Sequence, residues 1–142
     1  MTYCWEQLDS GQVDASNFGP QLLTGSINRS IPPSENEIRY IPNISEILNG
    51  NLTPSNPTLF SSWETVSNVE RTLTWGVTVR DRSESNPNGM GQISQDVKKI
   101  FVAETAGPFR IISNDLNDIV WRSGSNQKII WDVANTDRSP IN

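Results

Sequence analysis

The clearest pattern in the chain is a strict alternation of apolar and polar residues from Arg71 to Arg80. The apolar residues that share one face are Leu73, Trp75, Val77 and Val79. Threonines dominate the other face, and alternation with a period of two is typical of an antiparallel strand with one buried side. We therefore predict a half-buried strand here, with Trp75 in the core.

A second run, Gln95 to Val102, follows a polar connection at 81–91 that contains one proline and two glycines. Ile100 and Val102 can face inward in this run, although Lys98 shares their face. The connection is rich in residues that favour turns. The two runs together predict a β-hairpin with a long loop.

A shorter strand is predicted at the start of the chain, from Thr2 to Gln7. Tyr3 and Trp5 share one face of it, and Cys4 lies on the other, where we expect it to pack as a small apolar residue. If this strand and the hairpin belong to two facing sheets, Trp5 and Trp75 lie in one core between them.

From Asp9 to Ser62 no period is visible, and six of the nine prolines lie in this segment. A structureless stretch of this length is unusual in a compact domain, so it must be anchored. Asn43 as N-cap, a glutamate at the third helical position and Gly50 as a stop predict a short helix at 44–49. We expect its apolar side chains to anchor the segment, with two further aromatic anchors. These five side chains are Ile44, Ile47, Leu48, Tyr40 and Phe60.

After a linker at 103–108 the strand pattern resumes. Phe109 and Ile111 alternate, residues 121–125 have turn composition, and one face of the run 127–134 carries Ile129, Trp131 and Val133. The whole chain is therefore predicted to be all-β, an antiparallel β-sandwich with a long insertion and then a second group of strands.

Composition excludes several classes of site. The chain has no histidine and one cysteine, so His-dependent catalysis, His-ligated zinc and an internal disulfide are ruled out within it. The net charge of −5 argues against nucleic acid and anionic membranes as partners. No apolar run reaches the length of a membrane span, and the opening residues lack the pattern of a secretory signal peptide.

Two kinds of candidate site are left. Calcium takes oxygen ligands, and Asn114–Asp118 or Asp81 with Glu84 could supply them, but neither has the spacing of a dedicated calcium loop. Trp63 and Trp121 lie near predicted turns and are candidates for stacking on a sugar. Trp75 and Trp131 lie in the apolar register of their strands, which favours core packing for both.

Several short segments form an ordered series along the chain. They are Tyr3–Gln7, Arg39–Pro42, Arg71–Leu73, Val77–Asp81, Ala106–Phe109, and the set Trp121, Gly124, Ser125, Gln127, Ile129 and Trp131–Ala134. This series, which covers nearly the whole chain, resembles the region behind the catalytic domain of secreted reprolysin-like zinc metalloproteases of environmental bacteria.

The resemblance implies an immunoglobulin- or fibronectin-III-like sandwich at 1–105, incomplete at its N-terminus and carrying the insertion 9–62. Residues 106–142 would be the first strands of a second such module. In that family zinc is bound by a His-Glu-x-x-His motif in a separate catalytic domain, so no catalytic, cofactor-binding or metal-binding residue is implied within this chain. The implied role is that of a non-catalytic accessory or spacer segment of a secreted zinc metalloendopeptidase.

The expected partners are neighbouring domains of the same polypeptide, and a protein or polysaccharide substrate. The alternative is a stand-alone extracellular module that binds polysaccharide or a cell-surface ligand through Trp63, Trp121 and the 9–62 loop. A structural repeat of an adhesin or filament is disfavoured, because the chain has no clear internal repeat.

Overall fold

The structure is a computed structural model that describes residues 1–55, 57, 63–81, 91–113 and 120–138. The chain divides into two compact units, Met1–Val102 and Ala103–Asn142. Regular structure in the described residues consists of five strands and one five-residue helix, so the protein is all-β, as the sequence predicts. The assignment of each unit to an immunoglobulin-like module stays a prediction.

The first unit is built on a three-stranded antiparallel sheet. Its strands are β1 (Thr2–Gln7), β2 (Arg71–Arg80) and β3 (Ile93–Val102), in the order β1-β2-β3. All three predicted strands are present, and β2 and β3 pair as the predicted hairpin. Residues 82–90 of their connection lie outside the described residues.

The face of the sheet that carries Trp75 is the better buried one. Trp75 itself is 5% exposed, which confirms its predicted place in the core, and Leu73 is buried beside it. Trp5 lies opposite Val77 in the register, and residues that pair across antiparallel strands point to the same face. Trp5 and Trp75 therefore share one face of one sheet, and the expectation that two facing sheets bring them together is wrong.

Strand β3 differs from its prediction in exposure. Ile100 was expected to face inward, yet it is about half exposed, as is Phe101 on the opposite face. The reason is that the 9–62 segment bonds mainly to β1 and β2: its contacts reach Tyr3, Trp5 and Arg71, and β3 is left at the edge.

The predicted helix is present as α1 (Ile44–Leu48). The Asn43 side chain accepts hydrogen bonds from the backbone amides of Ser45 and Glu46, at 3.1 and 3.2 Å, which is the expected N-cap geometry. The helix contains no buried residue, and Leu48 is 79% exposed. Its apolar residues therefore do not anchor the insertion.

The two predicted aromatic anchors have different outcomes. Tyr40 is exposed, so its anchoring role is also wrong, and Phe60 lies outside the described residues. The buried residues of the segment are other ones: its buried apolar side chains are Phe18, Ile27 and Pro42, and buried polar contacts join it to the sheet.

The second unit contains a short antiparallel pair, β4 (Arg110–Ile111) and β5 (Trp131–Asp132). The predicted turn is present: the Ser125 amide donates to the Arg122 carbonyl at 3.2 Å, and Gly124 has a φ of +78°. The predicted strand 127–134 shrinks to two residues, and its supposed inner face is exposed, with Trp131 at 53%. Core packing of Trp131 is therefore wrong, because the described residues of this unit form no second layer over that face.

Candidate binding surface

Arg39 holds the middle of the long insertion against the sheet. Its guanidinium donates to the backbone carbonyls of Trp5 and Arg29 and forms an ion pair with Glu64. The side chains of this pair are 5% and 4% exposed. The Arg39 Cζ atom also lies 5.6 Å from the centre of the Trp75 ring, within cation–π range. One buried cation thus joins three separate stretches of chain.

Glu64 is shared between Arg39 and the entrance to α1. Its Oε1 accepts from Arg39, and its Oε2 accepts from the backbone amide of Asn43 at 3.0 Å. A carboxylate with two lone-pair-bearing oxygens can satisfy both donors at once. We call Arg39, Glu64 and Asn43 the Arg39 cluster.

A second buried polar cluster holds the first part of the insertion. Arg71 donates to the carbonyls of Leu22 and Gly25, at 2.6 and 2.8 Å, and lies 3.6 Å from the Asp9 carboxylate. Asp9 in turn accepts from the Thr74 amide at 3.0 Å. An arginine suits this role because its planar fork can serve several carbonyls at fixed angles.

Gln7 extends this second cluster. Its side-chain nitrogen donates to Asp9 at 2.6 Å, and its oxygen accepts from the Ile27 amide and from the Asn28 side chain at 3.1 and 3.0 Å. The Asn28 side-chain oxygen in turn accepts a hydrogen bond from the Thr65 amide at 3.1 Å. We call Arg71, Asp9, Gln7 and Asn28 the Arg71 cluster.

An open groove of about 630 Å³ lies beside the Arg39 cluster. Its lining is mostly apolar, and its charged residues are Glu37, Arg39, Lys98 and Lys99. The apolar residues that line it are Trp5, Ile38, Ile41, Trp75 and Ile100. A second cavity of about 500 Å³ shares Trp5, Ile38 and Arg39 with it. Such a surface suits contact with apolar side chains.

The two predicted contact residues lie in different units. Trp63 belongs to the first unit, has a φ of +51° and is half-buried, with the Phe18 ring meeting it edge-on at 5.5 Å. Trp121 belongs to the second unit and is 52% exposed. Trp131 is also exposed in that unit, and sequence reasoning missed it because strand alternation placed it in the core.

In the part of the chain that the structure describes, no group of three acidic or cysteine side chains lies close enough together to hold a metal ion. The calcium candidate 114–118 lies outside the described residues, as does Glu84. Cys4 is buried, and its Sγ lies 3.6 Å from the Ile31 carbonyl oxygen, as expected for a packed small residue.

One carboxylate has a perturbed pKa. The pKa of Asp14 is lowered, first by the hydrogen bond from the Ser16 hydroxyl and then by the bond from the Ser16 backbone amide, at 2.5 and 2.8 Å. Both bonds favour the ionised form. This arrangement is an exposed turn at 14–17, and it stabilises local structure.

In the described residues no helix is long and apolar enough to cross a membrane. Comparison of the chain with protein-family models, with curated proteins and with solved structures gave no match.

Proposed function

We propose that the chain is a non-catalytic accessory or spacer segment of a secreted zinc metalloendopeptidase, built as an immunoglobulin-like β-sandwich. The zinc and the catalytic residues of such an enzyme would belong to a separate domain. Its partners would be the neighbouring domains of the same polypeptide and a protein or polysaccharide substrate.

The observation that carries this proposal is the use made of the buried charges in the first unit. Buried ionisable groups are the usual candidates for reactive groups. Here Arg39, Glu64 and Arg71 all bind backbone groups of the insertion or pair with each other. These charged groups hold the insertion in place, and this use of them supports a scaffold role.

The resemblance to the protease region is supported by where its segments fall. Tyr3–Gln7 forms β1, and Arg71–Leu73 together with Val77–Asp81 makes up most of β2. Arg39–Pro42 supplies the central arginine of the Arg39 cluster. These four segments lie in the three-stranded sheet or in the Arg39 cluster, as expected if they reflect a common architecture.

In this proposal a further layer of the sandwich would lie over the open groove. The groove lies on the face of the sheet that carries Trp5 and Trp75, which is the face a second sheet would need to cover. In this proposal the neighbouring polypeptide supplies that layer.

The decisive experiment is to sequence the DNA that flanks this reading frame in its source. An open frame upstream that encodes a His-Glu-x-x-His helix would support the proposal. An in-frame stop codon and a ribosome-binding site directly before Met1 would overturn it. A parallel assay of the purified chain on casein should show no cleavage, and cleavage abolished by EDTA would contradict the non-catalytic role.

A polysaccharide-binding module is the second candidate, favoured by the exposure of Trp121 and Trp131 in one unit. Exposed indoles stack on the apolar faces of sugars. Binding of a soluble glycan should then quench tryptophan fluorescence, Trp121→Ala should reduce the quenching, and Trp121→Phe should retain most of it. An unchanged signal across a broad glycan panel would remove this candidate.

A further inference from the structure

The outer edge of β3 carries backbone groups that bond to no strand in the described part of the chain. The Asp81 amide donates to the Gln92 carbonyl at 2.9 Å, and the Leu8 amide donates to the Thr74 carbonyl at 2.8 Å. In an antiparallel sheet, successive residues direct their backbone groups alternately to one neighbouring strand and to the other. Each of these two bonds therefore fixes which residues of β2 face β3, and the two agree. The residues that direct their amides and carbonyls away from β2 are Ile93, Gln95, Val97, Lys99 and Phe101.

Val97 lies at the centre of this edge, and its backbone amide has only a local hydrogen-bond acceptor. Its amide points away from β2 and donates to the Asp96 carboxylate at 2.8 Å. A neighbouring side chain thus takes the place of the carbonyl that a further strand would supply. The bond is local and exchangeable, so a pairing strand can displace it.

Strand β3 also exposes apolar side chains on both of its faces. Four of its large hydrophobic side chains are between 48% and 63% exposed, namely Ile93, Val97, Ile100 and Phe101. Long apolar edges are hazards that soluble proteins usually guard with charges, bulges or a covering segment. Because β3 also carries Asp96, Lys98 and Lys99, whether it pairs depends on which residues these charges face in the second strand.

The sequence of β3 is complementary to itself in one register. When a second copy pairs with it antiparallel across a two-fold axis at Val97, each Asp96 lies opposite Lys98 of the second copy. Each Ile93 lies opposite Phe101 of the second copy, and Val97 lies opposite itself. Two opposite-charge pairs and three apolar pairs form at once, and cross-strand pairs of both kinds are stabilising.

Pairing with the two-fold axis at a neighbouring residue does not form these opposite-charge pairs. An axis at Asp96 sets two aspartates opposite each other, and an axis at Lys98 or Lys99 sets two lysines opposite each other, which is destabilising. An axis at Gln95 forms no opposite-charge pair and shortens the overlap. The Val97 register also places an outward-pointing residue on the axis, so the two Val97 residues exchange backbone hydrogen bonds.

We propose that β3 is a homodimerisation strand, through which two copies of this chain pair edge to edge about Val97 into one continuous antiparallel sheet. Each copy contributes its three strands. On pairing, the Val97 amide donates to the Val97 carbonyl of the second copy, and the released Asp96 carboxylate meets Lys98 across the axis. The interface is isologous, which closes the assembly at two copies. This inference stands independently of the proposed function.

Charge exchange at the two positions tests the register. Sedimentation equilibrium of the full chain should show a reversible dimer that Asp96→Lys and Lys98→Asp each weaken by about tenfold or more, because both cross-strand pairs become repulsive. The double variant Asp96→Lys/Lys98→Asp should restore dimerisation. An equimolar mixture of the two single variants should form heterodimers, since every facing pair is then of opposite charge.

Disulfide trapping tests the axis in a second way. In a Cys4→Ala background, Val97→Cys should cross-link on mild oxidation, because residues of a hydrogen-bonded pair have Cα atoms about 5.5 Å apart, within disulfide range. Gln95→Cys is the matched control and should not cross-link, because in this register it faces Lys99. Circular dichroism checks that each variant is folded.

Two results would overturn the proposal. One is a wild-type chain that stays monomeric up to about 1 mM, a concentration at which even very weak specific pairing is populated. The other is a dimer that forms equally well in Asp96→Lys, Lys98→Asp and the wild type, because the facing residues would then be elsewhere.

Discussion

Removing the Glu64 carboxylate should be among the most damaging single changes to the first unit. Glu64→Ala leaves the Arg39 guanidinium buried without its counter-ion and leaves the Asn43 amide without its acceptor. Breaking a buried ion pair from one side typically costs about 3–5 kcal/mol. Arg39 keeps its bonds to two backbone carbonyls, so we expect a loss near the lower end, about 3 kcal/mol.

Urea unfolding, followed by circular dichroism and by tryptophan fluorescence, measures this loss through linear extrapolation. Glu64→Gln should fall between the wild type and Glu64→Ala, because one amide oxygen can satisfy only one of the two donors well. Glu35→Ala is the matched control: this glutamate is exposed in the insertion that contains Arg39, and its loss should change stability by less than about 0.5 kcal/mol.

A double-variant cycle separates the ion pair from its surroundings. Arg39→Met/Glu64→Leu should cost less than the sum of the two single changes, because each single change leaves an unpaired buried charge that the double change removes. If the free energy of unfolding of Glu64→Ala lies within about 0.5 kcal/mol of the wild-type value, the Arg39 cluster does not anchor the insertion and the reasoning fails.

Three further predictions follow from the fold. Trp75→Ala should cost about 3–5 kcal/mol in urea unfolding, whereas Trp121→Ala should cost little, because only the first side chain is buried. Asn43→Ala should cost about 1 kcal/mol through the loss of the helix cap, and Asn43→Ser should retain most of the stability. NMR titration should place the pKa of Asp14 below its ordinary value, and Ser16→Ala should raise it. Because the folded pKa is the lower one, this turn is stabilised above the unfolded pKa and loses that contribution as pH falls through the folded pKa.

Local signals explain what could be predicted from sequence. The alternation around Trp75 predicted β2 because successive side chains of a strand point to opposite faces. The N-cap residue Asn43 predicted α1 because its hydrogen bonds reach only to the next three residues. Trp131 misled the same reasoning: alternation predicts which residues share a face, but not whether another layer covers that face.

The Arg39 cluster could not be predicted for a different reason. Arg39 lies in the segment with no period and Glu64, 25 residues later, lies just beyond it, and charged residues at such positions are far more often solvated. Resemblance drew attention to Arg39, but nothing in the sequence marked Glu64 as its partner. Directional contacts of this kind depend on the fold as a whole, so they are visible only once the chain is folded.

The two polar clusters divide the insertion into parts that should open separately. The Arg71 cluster holds the chain around residues 9–28, and the Arg39 cluster holds it around residues 29–43. Polar contacts act at fixed points, unlike a continuous apolar face, so losing one cluster should release its own stretch first. In Glu64→Ala, amide hydrogen exchange should therefore rise at the Asn43 amide and in the chain near Arg39, while the Ile27 amide, which donates to Gln7, stays protected. Equal loss of protection at both amides would instead mean that the insertion unfolds as one unit with the sheet.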